Sequence, residues 1–241
     1  MKNGFAQHML PVLLGVVLTI LMTPRLANAN GVTCRFGGYC LNPIAYFDWQ
    51  HNFGPPFSDI PNDSFIESGH GFVETGMVHF EGGGDGQRRN EGNGWQGNFT
   101  RFEHLLWTNG QGPLTFSCFG PMIGIGAQIQ AHSEGPFTAL IQAFDGGGNL
   151  IDSFSETGNS NGNEDGSAIY IGLDNEFETF SQVTFSLTDA TGDLNDFAIN
   201  QLDILPWSDA PGPAEPMSLV LMGSGLFSVA AVARKRWAKR S

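Results

Sequence analysis

Ile125-Gly-Ala-Gln-Ile-Gln-Ala131 carries Ile125, Ala127, Ile129 and Ala131 at every second position, with Gly126, Gln128 and Gln130 between them. Side chains alternate between two faces only in an extended strand, so this stretch reads as β and not as helix. The same period recurs where Val183, Phe185 and Leu187 alternate with Gln182, Thr184 and Ser186. Phe197 and Ile199 alternate with Ala198 and Asn200, after which Leu202 and Ile204 continue on the opposite phase. A β-bulge near Asn200–Gln201 would absorb that one-residue slip. Further strands are expected over 44–49, 71–80, 104–108, 114–118, 137–144, 150–154 and 168–173, separated by Gly, Asn, Asp and Pro clusters. Asp145-Gly-Gly-Gly-Asn149 reads as a hairpin connection, and no segment between the two ends has the pattern of an amphipathic helix. Short strands at this spacing predict an all-β fold, a two-sheet β-sandwich of jelly-roll type. Segments 81–98 and 156–166 are Gly-rich and polar and read as long exposed loops.

Charge is divided unevenly along the 241 residues, whose formal net charge is −13. Residues 30–216 hold four cations (Arg35, Arg88, Arg89, Arg101), no Lys and all 24 acids, a net of −20. Such a body is repelled by phosphate backbones, which argues against nucleic acid as a partner.

The ends read as addresses. Lys2, an apolar run from Met9 to Met22 and the small residues Ala27 and Ala29 have the order of a signal peptide. Cleavage after Ala29 would make Asn30 the new N-terminus. At the other end, Pro211-Gly-Pro-Ala-Glu-Pro216 is followed by 17 uncharged residues, 217–233, and then by Arg234, Lys235, Arg236, Lys239 and Arg240. The uncharged run is at the short limit of a bilayer span, and the basic cluster should stay cytoplasmic. The expected organisation is a signal peptide (1–29), an ectodomain (30–209), a Pro-rich spacer (210–216), a transmembrane helix (217–233) and a basic tail (234–241). The membrane is engaged only through that helix, before processing.

Spacer, Glu-Pro pair, short apolar run and terminal basic cluster together resemble the PEP-CTERM sorting signal of Gram-negative bacteria. The family core is Pro-Glu-Pro. This chain has Ala214-Glu215-Pro216, with Pro213 one place before the Ala. The resemblance implies handling by the secretion machinery and an exosortase, release from the membrane, and delivery to the cell surface or an exopolysaccharide matrix. The body also resembles recurrent PEP-CTERM ectodomains in Trp95-Gln-Gly-Asn98, Leu105-Leu-Trp-Thr-Asn-Gly-Gln-Gly-Pro113, Gly126-Ala-Gln-Ile129, Asp165-Gly-Ser-Ala-Ile169 and Asp193-Leu-Asn-Asp-Phe-Ala-Ile-Asn200. That likeness implies a surface β-sandwich and names no activity.

Motifs of catalysis are sparse. His51, His70, His79, His104 and His132 form no zinc-hydrolase spacing, although His70 and His79 lie near Glu74 and Glu81. No Gly-x-Ser-x-Gly elbow, phosphate loop or dinucleotide fingerprint occurs; Gly124-Ile-Gly126 lies inside a strand. Calcium is the better-motivated ion. Asn161-Gly-Asn-Glu-Asp-Gly166 offers oxygens from Asn161, Asn163 and Asp165 with Gly in sixth place, but its twelfth position is Gly172 where an EF-hand needs Glu. A second set of oxygen ligands could come from Asp145, Asp152, Asp193 and Asp196. Among aromatics that could stack on sugars, Trp95 lies in a polar Gly/Asn setting and is the candidate platform, while Trp107 reads as core; Trp95 could equally anchor a loop. Cys34 and Cys40 could close a small disulfide, leaving Cys118 as a buried thiol, or Cys118 could pair with either of them.

Three functions follow in order. The first is a non-enzymatic surface or matrix protein, with no cofactor beyond a structural Ca²⁺. The second is a carbohydrate-binding module for exopolysaccharide, with Ca²⁺ as an organising ion. The third is a secreted glycan-active enzyme, which would need two carboxylates ~5–9.5 Å apart in a cleft.

Overall fold

The computed structural model describes residues 30–34 (backbone only), 41, 45–69, 74–175 and 178–207. The expected signal peptide, spacer, transmembrane helix and basic tail lie outside these residues, as do Cys40, His70 and the side chain of Cys34. Fifteen strands and one short helix follow in chain order: β1 (Asn30–Cys34), β2 (Ala45–Phe47), α1 (Trp49–Phe53), β3 (Asp59–Ile60), β4 (Ser64–Glu67), β5 (Thr75–Phe80), β6 (Gly86–Glu91), β7 (Gly94–Trp95), β8 (His104–Trp107), β9 (Leu114–Ala131), β10 (Gly135–Phe144), β11 (Leu150–Ser160), β12 (Ile169–Asp174), β13 (Phe180–Ala190), β14 (Phe197–Ile199) and β15 (Leu202–Pro206). All pairings are antiparallel except the two-residue β6–β7 ladder.

The long strand β9 organises the rest. Two stretches expected as separate strands, 114–118 and 125–131, are one continuous element. Its first part pairs with β5 on one side and β13 on the other, and through them with β4, β10 and β11. Its second part pairs with β12 on one side and with β14 and β15 on the other, which extend to β1, β8 and β2. The transfer happens at Phe119-Gly-Pro121, where Gly removes side-chain bulk and Pro removes a ladder donor, so the strand can turn a corner between sheets. The two sheets enclose one core. Val78, Phe116, Ile141, Val183 and Phe185 come from the first sheet; Ile125, Ala127, Ile129, Ile171, Ile199 and Ile204 come from the second. This is an all-β sandwich, as the period-two pattern predicts. After the β10–β11 hairpin the chain alternates between sheets: β12 in the second, β13 in the first, β14 and β15 in the second.

The predicted bulge is present. Ile199 faces Ile129 in the ladder, whereas Asp203 faces Gly126, a shift of one residue across Asn200–Gln201. The carbonyl freed at Asn200 accepts a hydrogen bond from Trp49 Nε1 at 2.6 Å. That contact accounts for α1, which strand periodicity over 44–49 did not foresee: Asp48 caps it, its Oδ1 accepting from Gln50 N at 2.9 Å. The Asp145–Asn149 turn is also as expected, closed by Asp145 N donating to Asn149 O at 3.0 Å.

Two loop expectations are corrected. Segment 81–98 contains β6 and β7, and Arg88 is fully buried. Segment 156–166 continues β11 as far as Ser160. Among the described residues, no helix is long and apolar enough to cross a membrane.

Candidate functional site

The second sheet is buried on both faces. Its outer face carries a second apolar cluster of Trp95, Phe99, Leu105, Ala168 and Ala198, with Trp107 packed against it. Around this cluster the contacts are polar. Gln130 Oε1 accepts from Asn98 N at 2.7 Å, and Gln130 Nε2 donates back to Asn98 Oδ1 at 2.9 Å. Asn98 Oδ1 also accepts from Asn161 N at 2.7 Å, so one amide pair fastens both covering loops to β9. Gln128 N donates to Asn200 Oδ1 at 2.8 Å, and Asn200 Nδ2 donates to Glu103 Oε1 at 3.0 Å. The sequence carries no mark of this network, because Gln in a strand ordinarily belongs to a solvated face.

Trp95 is therefore corrected as a sugar platform. It is 5% exposed, with its ring 5.1 Å from that of His132 and 6.2 Å from that of Trp107. It anchors the loop, the alternative reading of the same residue. Trp107, read as core, is half-buried at the rim, and its Nε1 donates to Asp196 Oδ1 at 2.5 Å. The other Asp196 oxygen lies 2.7 Å from His132 Nδ1.

The aromatics that do reach solvent here are Phe57 and Phe102, 56% and 63% exposed. Each has positive φ, +73° and +70°. A bulky L-residue in that region costs ~1–2 kcal/mol, so the turns that hold it there are over-determined by their surroundings. Those surroundings are β6: Phe57 N donates to Arg88 O at 2.7 Å and Phe102 N to Glu91 O at 3.0 Å. Each ring lies against a guanidinium, Arg89 at 4.5 Å from the Phe57 centroid and Arg101 at 5.0 Å from that of Phe102. Arg89 also stacks on Trp107 at 4.8 Å, and its Nε and Nη1 are buried with no hydrogen bond. Gly94, at φ +93°, makes room for this stack: a Cβ there would sit 2.7 Å from Arg89 Cδ and 2.9 Å from the Phe57 ring. Nothing in the sequence marks these two Phe residues out, since each depends on which side of β6 a turn delivers it.

The other cations among the described residues are committed. Arg88 donates to Arg89 O, Asn90 Oδ1 and Gln50 Oε1, and Arg101 lies 3.6 Å from Glu164. Burial lowers the Arg89 pKa, while the charge of Asp59 works against that shift.

The calcium candidates do not converge. Asn161 Oδ1 accepts from Asn163 N at 2.9 Å, and Asp165 Oδ1 accepts from Ser167 N and Oγ at 3.0 and 2.6 Å. These are turn-closing bonds, and the Ser167 hydroxyl holds the Asp165 carboxyl below its usual pKa. Asp145 closes its own hairpin in the same way, and hydrogen bonds from Asn149 lower its pKa. It lies at the opposite end of β10 from Asp193 and Asp196, ~30 Å away for a strand of ten residues. His79 sits between Asp63 and Glu81, 2.7 and 3.7 Å away. Among the described residues, no three His, Cys, Asp or Glu side chains are placed to hold a metal.

Two buried acids stand out chemically. Asp203 is 1% exposed; burial pushes its pKa up to about 6, with Glu103's charge adding to the shift. Its Oδ2 accepts from Tyr170 OH at 3.2 Å and its Oδ1 from Gln201 Nε2 at 2.9 Å. Glu91 is fully buried and its pKa is raised by burial. Neither is open to a substrate in this conformation. Cys118 is a free, buried thiol whose pKa burial pushes up to about 12, so the pairing of Cys118 with an N-terminal Cys is not formed.

The fold and surface together define an all-β sandwich with a loop-covered polar face and an arginine-backed aromatic rim. No protein-family model and no curated protein matches the chain. Among solved structures it is similar to a DUF4465 family protein from Bacteroides caccae at 10% identity and TM-score 0.38, covering 66% of this chain and 98% of that one. It is similar to an isomalto-dextranase from Arthrobacter globiformis complexed with panose at 12% identity and TM-score 0.28, covering 74% of this chain and 33% of that one. It is also similar to TmCBM61 in complex with β-1,4-galactotriose at 10% identity and TM-score 0.18, covering 72% of this chain and 99% of that one. At TM-scores below 0.5 these likenesses say nothing of what the chain binds.

Proposed function

We propose that the chain is an exported, non-enzymatic surface protein that holds a polysaccharide on the rim formed by Phe57 and Phe102. The observation that carries this reading is the pair of exposed phenylalanines held at positive φ, each backed by an arginine. Flat rings match the apolar faces of pyranoses, and the exposed Arg101 guanidinium supplies donors for sugar hydroxyls, while Arg89, its Nε and Nη1 buried, stiffens the Phe57 platform. The glycan is neutral. Arg101 faces Glu164 and the charge of Asp59 acts on Arg89, so the rim has no positive excess to offset a body at −20. Jelly-roll connectivity, the expected form of the sandwich, is supported by the alternation of β12 to β15 between sheets. Residues 1–29 act as the export signal, and residues 210–241 act as the sorting tail handled by an exosortase.

A glycan array probed with residues 30–209, with and without EGTA, tests the binding. Retention on neutral glucans or galactans, lost in Phe57→Ala and Phe102→Ala, is expected. Retention on no glycan would remove the carbohydrate reading and leave a surface protein without a ligand. EGTA-sensitive retention would restore the calcium-organised alternative. Mass spectrometry of the exported protein should find a product lacking residues 217–241.

A further inference from the structure

Four of the seven large apolar side chains that the described residues expose lie at one end of the sandwich. Phe65 and Phe119, 72% and 62% exposed, have ring centroids 6.0 Å apart. Trp207, 41% exposed, directly follows Pro206, which pairs with Met122 in the β15–β9 ladder. Phe119 lies three positions before Met122 in the same strand, so Trp207 is within about two strand steps, ~7 Å, of the corner that presents Phe119. Leu150, 53% exposed, belongs to the same end, because its partner Phe144 faces Gln182 and nearby Phe180 faces Met122. This is also where the described chain stops, nine residues short of the uncharged run 217–233.

We propose that this end of the sandwich rests on the lipid surface while run 217–233 tethers the chain, and lets go when the tail is removed. The inference rests on reading 217–233 as the membrane anchor. Nine residues span at most ~30 Å even when fully extended, so a tether of this length holds the Phe65–Phe119–Trp207 end against the bilayer. Aromatic rings settle at the level of the lipid headgroups, where one edge is dry and the other wet. Carboxylates of Glu67, Asp145 and Glu178 share this end, so contact with a free domain is weak and anionic lipid repels it. Tethering changes the arithmetic, because a short linker supplies an effective concentration in the millimolar range and makes a weak contact persist. Cutting the linker removes that concentration and the contact with it. Release then needs no conformational change in the sandwich.

The test uses the exported chain, residues 30–241, carrying Trp237→Phe and reconstituted in phosphatidylcholine vesicles with brominated acyl chains. The Trp207 signal is the difference between this protein and one that also carries Trp207→Phe. About half of that signal should be quenched. Phe65→Ser with Phe119→Ser should cut the quenching at least threefold with an unchanged far-UV circular dichroism spectrum, as both rings are exposed. Phosphatidylglycerol at low salt should cut it as well. Flotation separates the two levels of the claim. A chain that floats with vesicles but leaves Trp207 unquenched, or is quenched equally in the double variant, overturns the docking and spares the anchor. A chain that does not float overturns both.

Discussion

Ile129 and Gln130 are neighbours in β9, 0% and 2% exposed, yet they are buried in opposite ways. Ile129 faces the other sheet across an apolar core. Gln130 faces a covering of loops, where every donor and acceptor must be matched. The first kind of burial tolerates small shifts, because dispersion and the hydrophobic effect are non-directional. The second tolerates very few, because an unpaired buried amide loses its hydration and gains nothing. The polar side also leaves atoms unmatched, Glu91 Oε2 and Trp95 Nε1 among them, while holding the rim residues in strained turns. The apolar side gives stability; the polar side gives placement.

Breaking the apolar side should have the largest effect. Ile129→Ala leaves a cavity between the sheets and should cost about 4 kcal/mol, read as a lower urea midpoint at unchanged slope. A change within 1 kcal/mol would mean that the core can collapse around the gap.

The next effect belongs to Asp203 and depends on pH. Its folded pKa of about 6 lies above the ordinary 3.8, so the folded state binds its proton more tightly than the unfolded state. Stability from this group is therefore highest below pH ~4, falls as pH rises to ~6, and is flat above. Asp203→Asn should remove this slope. The stability gap between variant and parent should change by up to about 3 kcal/mol between pH 4 and 7, in the direction that favours the variant at pH 7. Urea titrations at the two pH values measure it, and a constant gap would show that Asp203 is already hydrated.

Gln130→Leu sharpens the comparison at similar volume. It strips Asn98 of both reciprocal bonds and should cost about 2 kcal/mol. The loss should be local, with hydrogen exchange accelerating around Asn98 and Asn161 before β9 itself. Uniform acceleration would mean that the loops and sheet open as one unit.

Phe57→Gly should have the smallest effect on stability, within about 1 kcal/mol and towards stabilisation, because the positive φ no longer carries a Cβ. Polysaccharide retention should nevertheless fall at least tenfold. Loss of both stability and retention would make Phe57 a structural residue.

What could be read from the sequence follows from which forces are periodic. Ile125, Ala127, Ile129 and Ala131, the Val183–Leu187 alternation and the slip across Asn200–Gln201 all report a strand with one apolar face. The sandwich, its bulge and its Asp145–Asn149 hairpin were therefore legible from local pattern and turn chemistry. Gln128, Gln130, Asn98 and Asn161 carry no such pattern, because amide pairs reward geometry between segments far apart in the chain. For the same reason Trp95 could be read as exposed although its ring lies beneath a loop, and 81–98 could be read as loop although it holds β6. Tertiary structure alone decided which rings reach solvent. Phe57, Phe102, Phe65 and Phe119 differ from the buried Phe116 and Phe185 only in the side of a strand or turn that presents them, and that is set by pairing and not by residue type.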